Sequence, residues 1–442
     1  MTILLIFLTS LLAAILVFAV MLLPSRYVKH SPATKESTRV HVLVLGDIGR
    51  SPRMNYHARS IARHGGYADL IGYDESPIHP DLLSDERVKV YGLATPPSVL
   101  KTTQGSLADL DPDPRAWLRH SACALAARPE PPSIPTLAIA LIICFLRNTH
   151  LMIDWHNYGW TILAGTRGAN HPFVRISKAY ECALGRAAPT ANITVTHAME
   201  RQLKEAPYHI KTPILTLHDR PADIFQPLHS EKDRRAFLEK LPETKDVAHD
   251  IMAGNMKLVV SSTSWTPDED FSLLLDGLVT YAKVYATPIL AIITGKGPQK
   301  AYYLERIAQL TKDGQLPNIR IDTAWLSMED YATLLSCADL GVCLHMSSSG
   351  VDLPMKVVDM FGSGLPVAAY ANYESFGELV KEGVNGCGFE TADELAATLG
   401  RLFTEDGARE LKHLREGACK EGSLRWDEEW DRVIGRVFGV IE

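Results

Sequence analysis

Paired cysteines are missing. Seven cysteines lie at 123, 144, 182, 337, 343, 387 and 419, with no Cys-x-x-Cys pair and no metal-ligand spacing, which disfavours a zinc module and a disulfide framework and fits a reducing compartment. Basic charge is in deficit. The 45 Lys and Arg against 52 Asp and Glu leave a net charge of −7, so no global positive field exists to hold a nucleic acid. A Gly-x-Gly-x-x-Gly fingerprint is absent from the first strand–turn–helix, which argues against a nicotinamide cofactor. What is present is a hydrophobic content of 46% against 22% charged residues, the balance of a packed globular protein and of neither a disordered nor a polytopic membrane chain. The 442 residues are enough for two domains of ordinary size.

Charge is also missing from residues 2–23, TILLIFLTSLLAAILVFAVMLL. As a helix this run spans about 33 Å against a hydrocarbon core of ~30 Å, so it reads as a transmembrane anchor. It lacks the basic start and short apolar core of a cleaved signal peptide. Arg26, Lys29 and Lys35 follow it in a polar linker (24–38), with Arg39 just beyond, and place the remainder on the cytosolic side. The sequon Asn192-Ile193-Thr194 is then a coincidence.

Strands alternate with helices along the rest of the chain. Strands are expected at 40–46, 67–73, 88–93, 151–157, 191–196 and 213–217, with helices at 52–64 and 171–186. Residues 94–133, rich in proline, read as loop. The apolar run 134–145 is too short to span a bilayer and reads as a core helix, or alternatively as a surface dipping into the membrane. A charged connection at 228–256 precedes a second series: strands at 258–262, 288–294, 319–323, 340–344 and 366–369, helices at 268–285, 298–312, 328–337 and 354–362. The expected fold class is α/β, with two doubly wound, Rossmann-like domains (39–227 and 257–423) facing a cleft and a terminal helix (424–442) packing back.

Four constellations carry chemistry. Gly46, Asp47, Gly49, Arg50, Ser51 and Arg53 form a Gly-rich turn before a helix, where amides and guanidinium groups can meet phosphate; a plain tight turn is the alternative. Asp154 and His156 stand two apart, on one face of an extended strand, with Asn157 next, an arrangement that suits a carboxylate orienting a proton-accepting imidazole. Gly295-Lys296-Gly297 follows a buried strand and offers a lysine to a diphosphate. Finally, His345 through Pro366 joins a Ser/Gly loop to a helix bearing Gly350, Asp352, Leu353, Lys356 and Asp359, whose carboxylates can accept sugar hydroxyls; Asp352 alternatively caps the helix. Asp109, Asp111 and Asp113 sit in a Pro-rich loop without a histidine nearby and are not read as a metal site.

The order VLVLGDIGRSPRM, DWHNYGWT, SSTSWTPDEDF, ITGKGP, GVDLPMKVVDMFGSGLPVAAY resembles the GT-B glycosyltransferases, and within them family 33, from residue 40 to about 403. The resemblance implies inverting β1,4 transfer of mannose from GDP-mannose to dolichyl-diphosphate-linked chitobiose on the cytosolic face of the endoplasmic reticulum membrane. It implies no tightly bound cofactor, a divalent cation assisting without a protein metal site, and other lipid-linked oligosaccharide transferases as further partners. Inversion needs a base: His156 or Asp154, with Asp47 third. Gly46, Gly49, Arg50, Ser51, Arg53 and Asn157 fall to the acceptor. Ser262, Ser264, Lys296, Gly350, Asp352, Leu353, Lys356 and Asp359 fall to the donor, with Asp352 toward mannose and Asp359 toward ribose or guanosine hydroxyls. Related enzymes carry Arg and Lys where this chain has Ser264 and Glu269, leaving Lys296, Lys356 and amides to neutralise the diphosphate. The rivals are a membrane transferase using another nucleotide sugar, and an inactive GT-B module acting as a scaffold.

Overall fold

The structure, a computed structural model, describes residues 38–93, 123–127, 136–147, 149–186 and 190–441. The expected anchor at 2–23 and the aspartates 109, 111 and 113 lie outside them. Among the described residues no helix is long and apolar enough to cross a membrane. The chain forms two units. The first takes the residues up to Thr194, Glu200–Leu217 and those from Trp430 on; the second takes Val195–Met199 and His218–Glu429.

The first unit is built on a seven-stranded parallel sheet of β1 (Arg39–Asp47), β2 (Tyr67–Tyr73), β3 (Val88–Leu93), β4 (Cys123–Ala127), β5 (Leu151–Trp155), β6 (Ala191–Thr194) and β7 (Ile214–Thr216), in the order β3-β2-β1-β4-β5-β6-β7. The continuous apolar runs are explained by burial on both faces: Val40, Val42, Val44, Leu151 and Met152 are all fully buried. Strand β4 corrects the expectation that 94–133 is loop throughout. It lies between β1 and β5, with Val42 opposite Leu125 and Ile153 opposite Ala126, at the centre of the sheet. Its five residues, CALAA, carry little of the β-branched signal that marks a strand. The helix Thr136–Arg147 is a further correction. It buries Leu137, Ala140 and Cys144 along one face, while Ile142 and Phe145 are exposed, so it is half-buried and not a core helix. Asn192 of the sequon is fully buried in β6 between Trp155 and Thr212.

The second unit carries a six-stranded parallel sheet of β8 (Lys257–Ser262), β9 (Ile289–Thr294), β10 (Ile319–Ala324), β11 (Leu340–Cys343), β12 (Val367–Tyr370) and β13 (Gly386–Phe389), in the order β10-β9-β8-β11-β12-β13. Alternation along the strands divides the core in two. Leu258, Val260, Leu290 and Ile292 pack on one face, and Val259, Ile289, Ala291 and Ile293 on the other. The segment expected as a bare connection (228–256) belongs to this unit. Its helices Glu231–Lys240 and Ala248–Ala253 place Phe237, Leu238 and Ile251 in the first of those cores. Ser327 caps the helix Met328–Cys337 by accepting from the Asp330 amide.

Each strand order reverses once, between β1 and β4 and between β8 and β11. Open parallel sheets bind ligands outside the carboxyl ends of the strands at such a reversal, and the expected site residues cluster there.

The C-terminal segment completes the first unit. Trp430 is fully buried, with His64 and Phe438 stacked on its rings at 5.8 and 5.7 Å, and Asp431 pairs with Arg63 and His64. Truncating a buried tryptophan costs about 3–5 kcal/mol. Trp430→Ala is therefore expected to lower unfolding stability by that amount in urea titration, with Trp430→Phe losing less.

Candidate active site

The first cluster lies at the carboxyl ends of β1 and β5. Strand β1 runs into a short 3-10 turn, Ile48–Arg50, and the helix Pro52–Arg63. Asp47 holds the turn by accepting from the amides of Gly49 at 3.2 Å, Ser76 at 3.1 Å and Glu75 at 3.3 Å. Its burial would raise its pKa, but the hydrogen bonds from Ser76, Glu75 and Gly49 outweigh it and keep the carboxyl below its ordinary value. Asp47, expected as a third base candidate, thus caps this turn. A side chain at Gly49 would collide with the Ser76 carbonyl, which accounts for that glycine. Ser51 donates to the Asp47 carbonyl at 2.9 Å, and Arg50 projects outward with Nε 3.1 Å from Ser76 Oγ.

The helix then aims Arg53 and His57, four residues apart and so on one face, at Asp154. Asp154 is fully buried at the end of β5. Arg53 donates to it through two nitrogens, at 2.8 and 3.1 Å, and also to the Leu217 carbonyl at 3.0 Å. His57 Nε2 stands 3.0 Å from Asp154 Oδ2. On the far side of the imidazole, Trp430 Nε1, which can only donate, lies 3.0 Å from Nδ1. That contact assigns His57 as the tautomer protonated at Nε2, donating to Asp154. Burial lowers the His57 pKa despite the neighbouring carboxylate, so it is neutral.

His156 Nε2 is 3.1 Å from Asp154 Oδ2, in ion-pair contact and not an in-line hydrogen bond, and its side chain remains 24% exposed. Asn157 accepts from its own chain at Tyr158 N, 2.7 Å away. Burial alone would raise the Asp154 pKa; the charge of Arg53, then the interaction with His156 and the hydrogen bond from His57, reverse this and hold the carboxyl well below the usual range. Arg53, expected to face an acceptor, is 5% exposed and paired with Asp154. Asp154, expected as a candidate base, is buried and held as an anion. His57 and Trp430 were not singled out in the sequence. The i,i+4 spacing of Arg53 and His57 was the available signal for one of them, and Trp430, 373 residues from His57, left none.

The second cluster lies at the carboxyl ends of β8, β9 and β11. Ser262 sits in a hydroxyl chain, 3.0 Å from Thr294 Oγ1 and 2.8 Å from Tyr331. Ser264 is exposed, while its amide and the Thr263 hydroxyl donate to the buried Glu269. Glu269 also pairs with Lys356. Lys356, expected to stand free for a diphosphate, therefore has a carboxylate partner of its own. Gly295 has φ +120°, and a side chain at Gly297 would overlap the Ser264 carbonyl, so this glycine pair lets the Lys296 loop lie against the loop after β8. Gly350 also has positive φ, +77°, in the Ser/Gly loop, and Leu353 is partly exposed.

Asp352 is buried and does not cap the helix Met355–Gly362, which starts at Pro354 without a side-chain cap. It accepts from Ser349 Oγ at 2.9 Å and from the Ser347 hydroxyl, and His345 Nε2 lies 3.1 Å away. Burial pushes its pKa up, and His345 with the two serines more than compensates, so Asp352 is ionised. Asp359, seven residues on, behaves in the opposite way. Burial, with the like charge of Asp219 second, pushes it up to about 8. Among the described residues no group of three or more His, Cys, Asp or Glu could hold a metal ion.

The chain is similar over 96% of its length, and at 45% identity, to a chitobiosyldiphosphodolichol beta-mannosyltransferase of Arthroderma benhamiae, of which the match also covers 96%. The like-named proteins of Mus musculus and Homo sapiens are each 37% identical, the matches covering 92% and 90% of this chain and 90% and 92% of theirs. No family model matches. Among solved structures, the sucrose-phosphate synthase of Thermosynechococcus elongatus superposes with TM-score 0.62 at 15% identity, covering 91% of this chain and 98% of that one. WaaG, a glycosyltransferase involved in lipopolysaccharide biosynthesis, gives 0.58 at 12% identity, covering 90% and 100%. These likenesses establish a GT-B glycosyltransferase-like fold.

Two stability tests follow from the charges. Asp154→Asn leaves the buried Arg53 without its counter-charge, a defect that costs about 3–5 kcal/mol, and urea unfolding at pH 7 is expected to show it. For Asp359 the sign is reversed. The unfolded chain ionises near the ordinary carboxylate value, whereas the folded chain keeps the proton to about 8, so stability falls as pH rises between the two. Asp359→Asn removes that penalty. Its Tm advantage over the parent should grow from pH 5 to pH 8, and a constant difference would refute the burial argument.

Proposed function

The chain belongs to the chitobiosyldiphosphodolichol beta-mannosyltransferase family, and from that premise we propose that it moves mannose from GDP-mannose to dolichyl-diphosphate-linked chitobiose, with inversion to a β1,4 linkage. The observation that carries the mechanism is His156 beside an ionised, immobilised Asp154 at the carboxyl end of β5. The donor is α-linked, so a β product needs one displacement, and the acceptor hydroxyl must lose its proton as it attacks. His156 is the base. Asp154 orients its Nε2 side, leaves Nδ1 to take the proton, and stabilises the imidazolium that forms. Arg50 and the Gly49–Ser51 turn meet the acceptor diphosphate.

In the second unit, Lys296 and the Ser/Gly loop around Gly350 stabilise the charge that grows on the departing GDP as the C1–O bond breaks. Lys356, already paired with Glu269, acts as part of a neutral couple that fixes the loop after β8. Asp352 meets mannose hydroxyls through whichever lone pairs its serines leave open. Asp359, protonated in the neutral range, donates to a ribose oxygen. A divalent cation accompanying the diphosphate needs no protein site. Residues 2–23 anchor the protein in the endoplasmic reticulum membrane with the body cytosolic, and the exposed Ile142 and Phe145 rest against the bilayer.

The test is detergent-solubilised protein with labelled GDP-mannose and a short polyprenyl-diphosphate chitobiose. The expected product is a labelled lipid-linked trisaccharide, released by β-mannosidase and not by α-mannosidase. His156→Ala should lower kcat by about 10²–10⁴ with little change in donor KM, the span for loss of a general base. Near-normal kcat in that variant would place the base elsewhere.

A further inference from the structure

Trp325 stands in the loop after β10, 65% exposed, although it is the largest apolar side chain type. The ammonium of Lys296 sits over its ring, 3.7 Å from the centroid. The two residues leave the sheet together. Thr294 and Ala324 are partners in the parallel β9–β10 ladder, so Lys296 and Trp325 project just beyond the same carboxyl edge. Their positions are fixed from below: Gly295 and Gly297 press the Lys296 loop against Thr263 and Ser264, and Gln299 N bonds the Trp265 carbonyl at 3.1 Å. Met328, also exposed, opens the next helix and extends the apolar edge.

β10 lies two strands from the β8–β11 reversal, about 10 Å at ~4.8 Å per strand. That offset corresponds to the ribose-length gap between a diphosphate at the reversal and its base. An open aromatic face accepts any base by stacking, and the cation above it favours the adjoining phosphates. We propose that Trp325 is the platform on which the donor's nucleobase stacks, with Lys296 bridging the ring to the diphosphate. The proposal rests on the reading of the donor as a nucleoside-diphosphate sugar and adds the residue that holds its base.

Calorimetric titration of the full-length, detergent-solubilised protein with GDP tests it, using the parent chain, Trp325→Ala and Trp325→Phe, with inorganic pyrophosphate as a competing probe. Trp325→Ala should weaken GDP by about ten-fold or more, the scale of one lost stacking contact. Donor KM should rise with it while kcat stays within about two-fold. Trp325→Phe should recover most of the affinity, and pyrophosphate should compete equally in all three. Unchanged GDP affinity in Trp325→Ala overturns the proposal. So does an equal loss of pyrophosphate, which would make the ring a support for the phosphate loops. If the parent chain turns over a UDP-sugar and ignores GDP-mannose, the donor reading fails; the same titrations with UDP then decide the platform separately.

Discussion

A carboxylate sealed from water survives as an anion only if cations and hydrogen-bond donors surround it. Asp154 meets that condition through Arg53 and His57, and much of the first unit is arranged to supply them. The turn after β1 sets the start of the helix Pro52–Arg63, and the helix phase puts Arg53 and His57 on the same face. The carbonyl of Leu217, just past β7, takes the remaining Arg53 donor. The C-terminal segment returns to place Trp430 against His57, which selects the tautomer that can donate. Four separated stretches of chain thus converge on one charge. The result is a buried carboxylate held as an anion next to a partly exposed imidazole.

The second unit solves a different electrostatic problem. In the proposed transfer a diphosphate donor brings negative charge to a unit that already holds Glu269, Asp352 and Asp359. Each has its own local surroundings. Glu269 takes Lys356, Asp352 is enclosed by His345 and two serines, and Asp359 retains its proton. Glu269 and its lysine cancel within the unit, and in the proposed transfer the positive potential is left to Lys296, the loop amides and helix N-termini.

The alternation of strands and helices, both sheets and the position of every chemical constellation at a strand end were legible in the sequence. Continuous runs such as residues 289–294 are buried on both faces and leave little ambiguity. Strand β4 was not legible, because three of its five residues are alanine and its place at the centre of the sheet is a tertiary fact. Site assignments fared by type. Glycines demanded by close approach, as at 49 and 297, were readable from the turn itself. Charged residues were not, since a local motif cannot say whether Arg53 or Lys356 meets a ligand or a buried carboxylate 101 or 87 residues away. Trp430 is the extreme case: nothing within its own helix marks it as the residue that fixes His57.

The two aspartates that end up with opposite protonation show why burial alone assigns no role. Asp154 and Asp359 both lose hydration, and for both that loss favours the neutral acid. Asp154 has a guanidinium at 2.8 Å and is driven to the anion; Asp359 has only the repulsion of Asp219 and is driven further toward the acid. The outcome matches the direction of charge flow in the proposed transfer. Where the proposed transfer takes up a proton, a fixed anion beside the base offsets the positive charge that forms. Where negative charge builds on a leaving diphosphate, a protonated carboxyl adds no repulsion and offers a donor. The same side chain is thus an anion beside a cation in one unit and an acid beside another acid in the other.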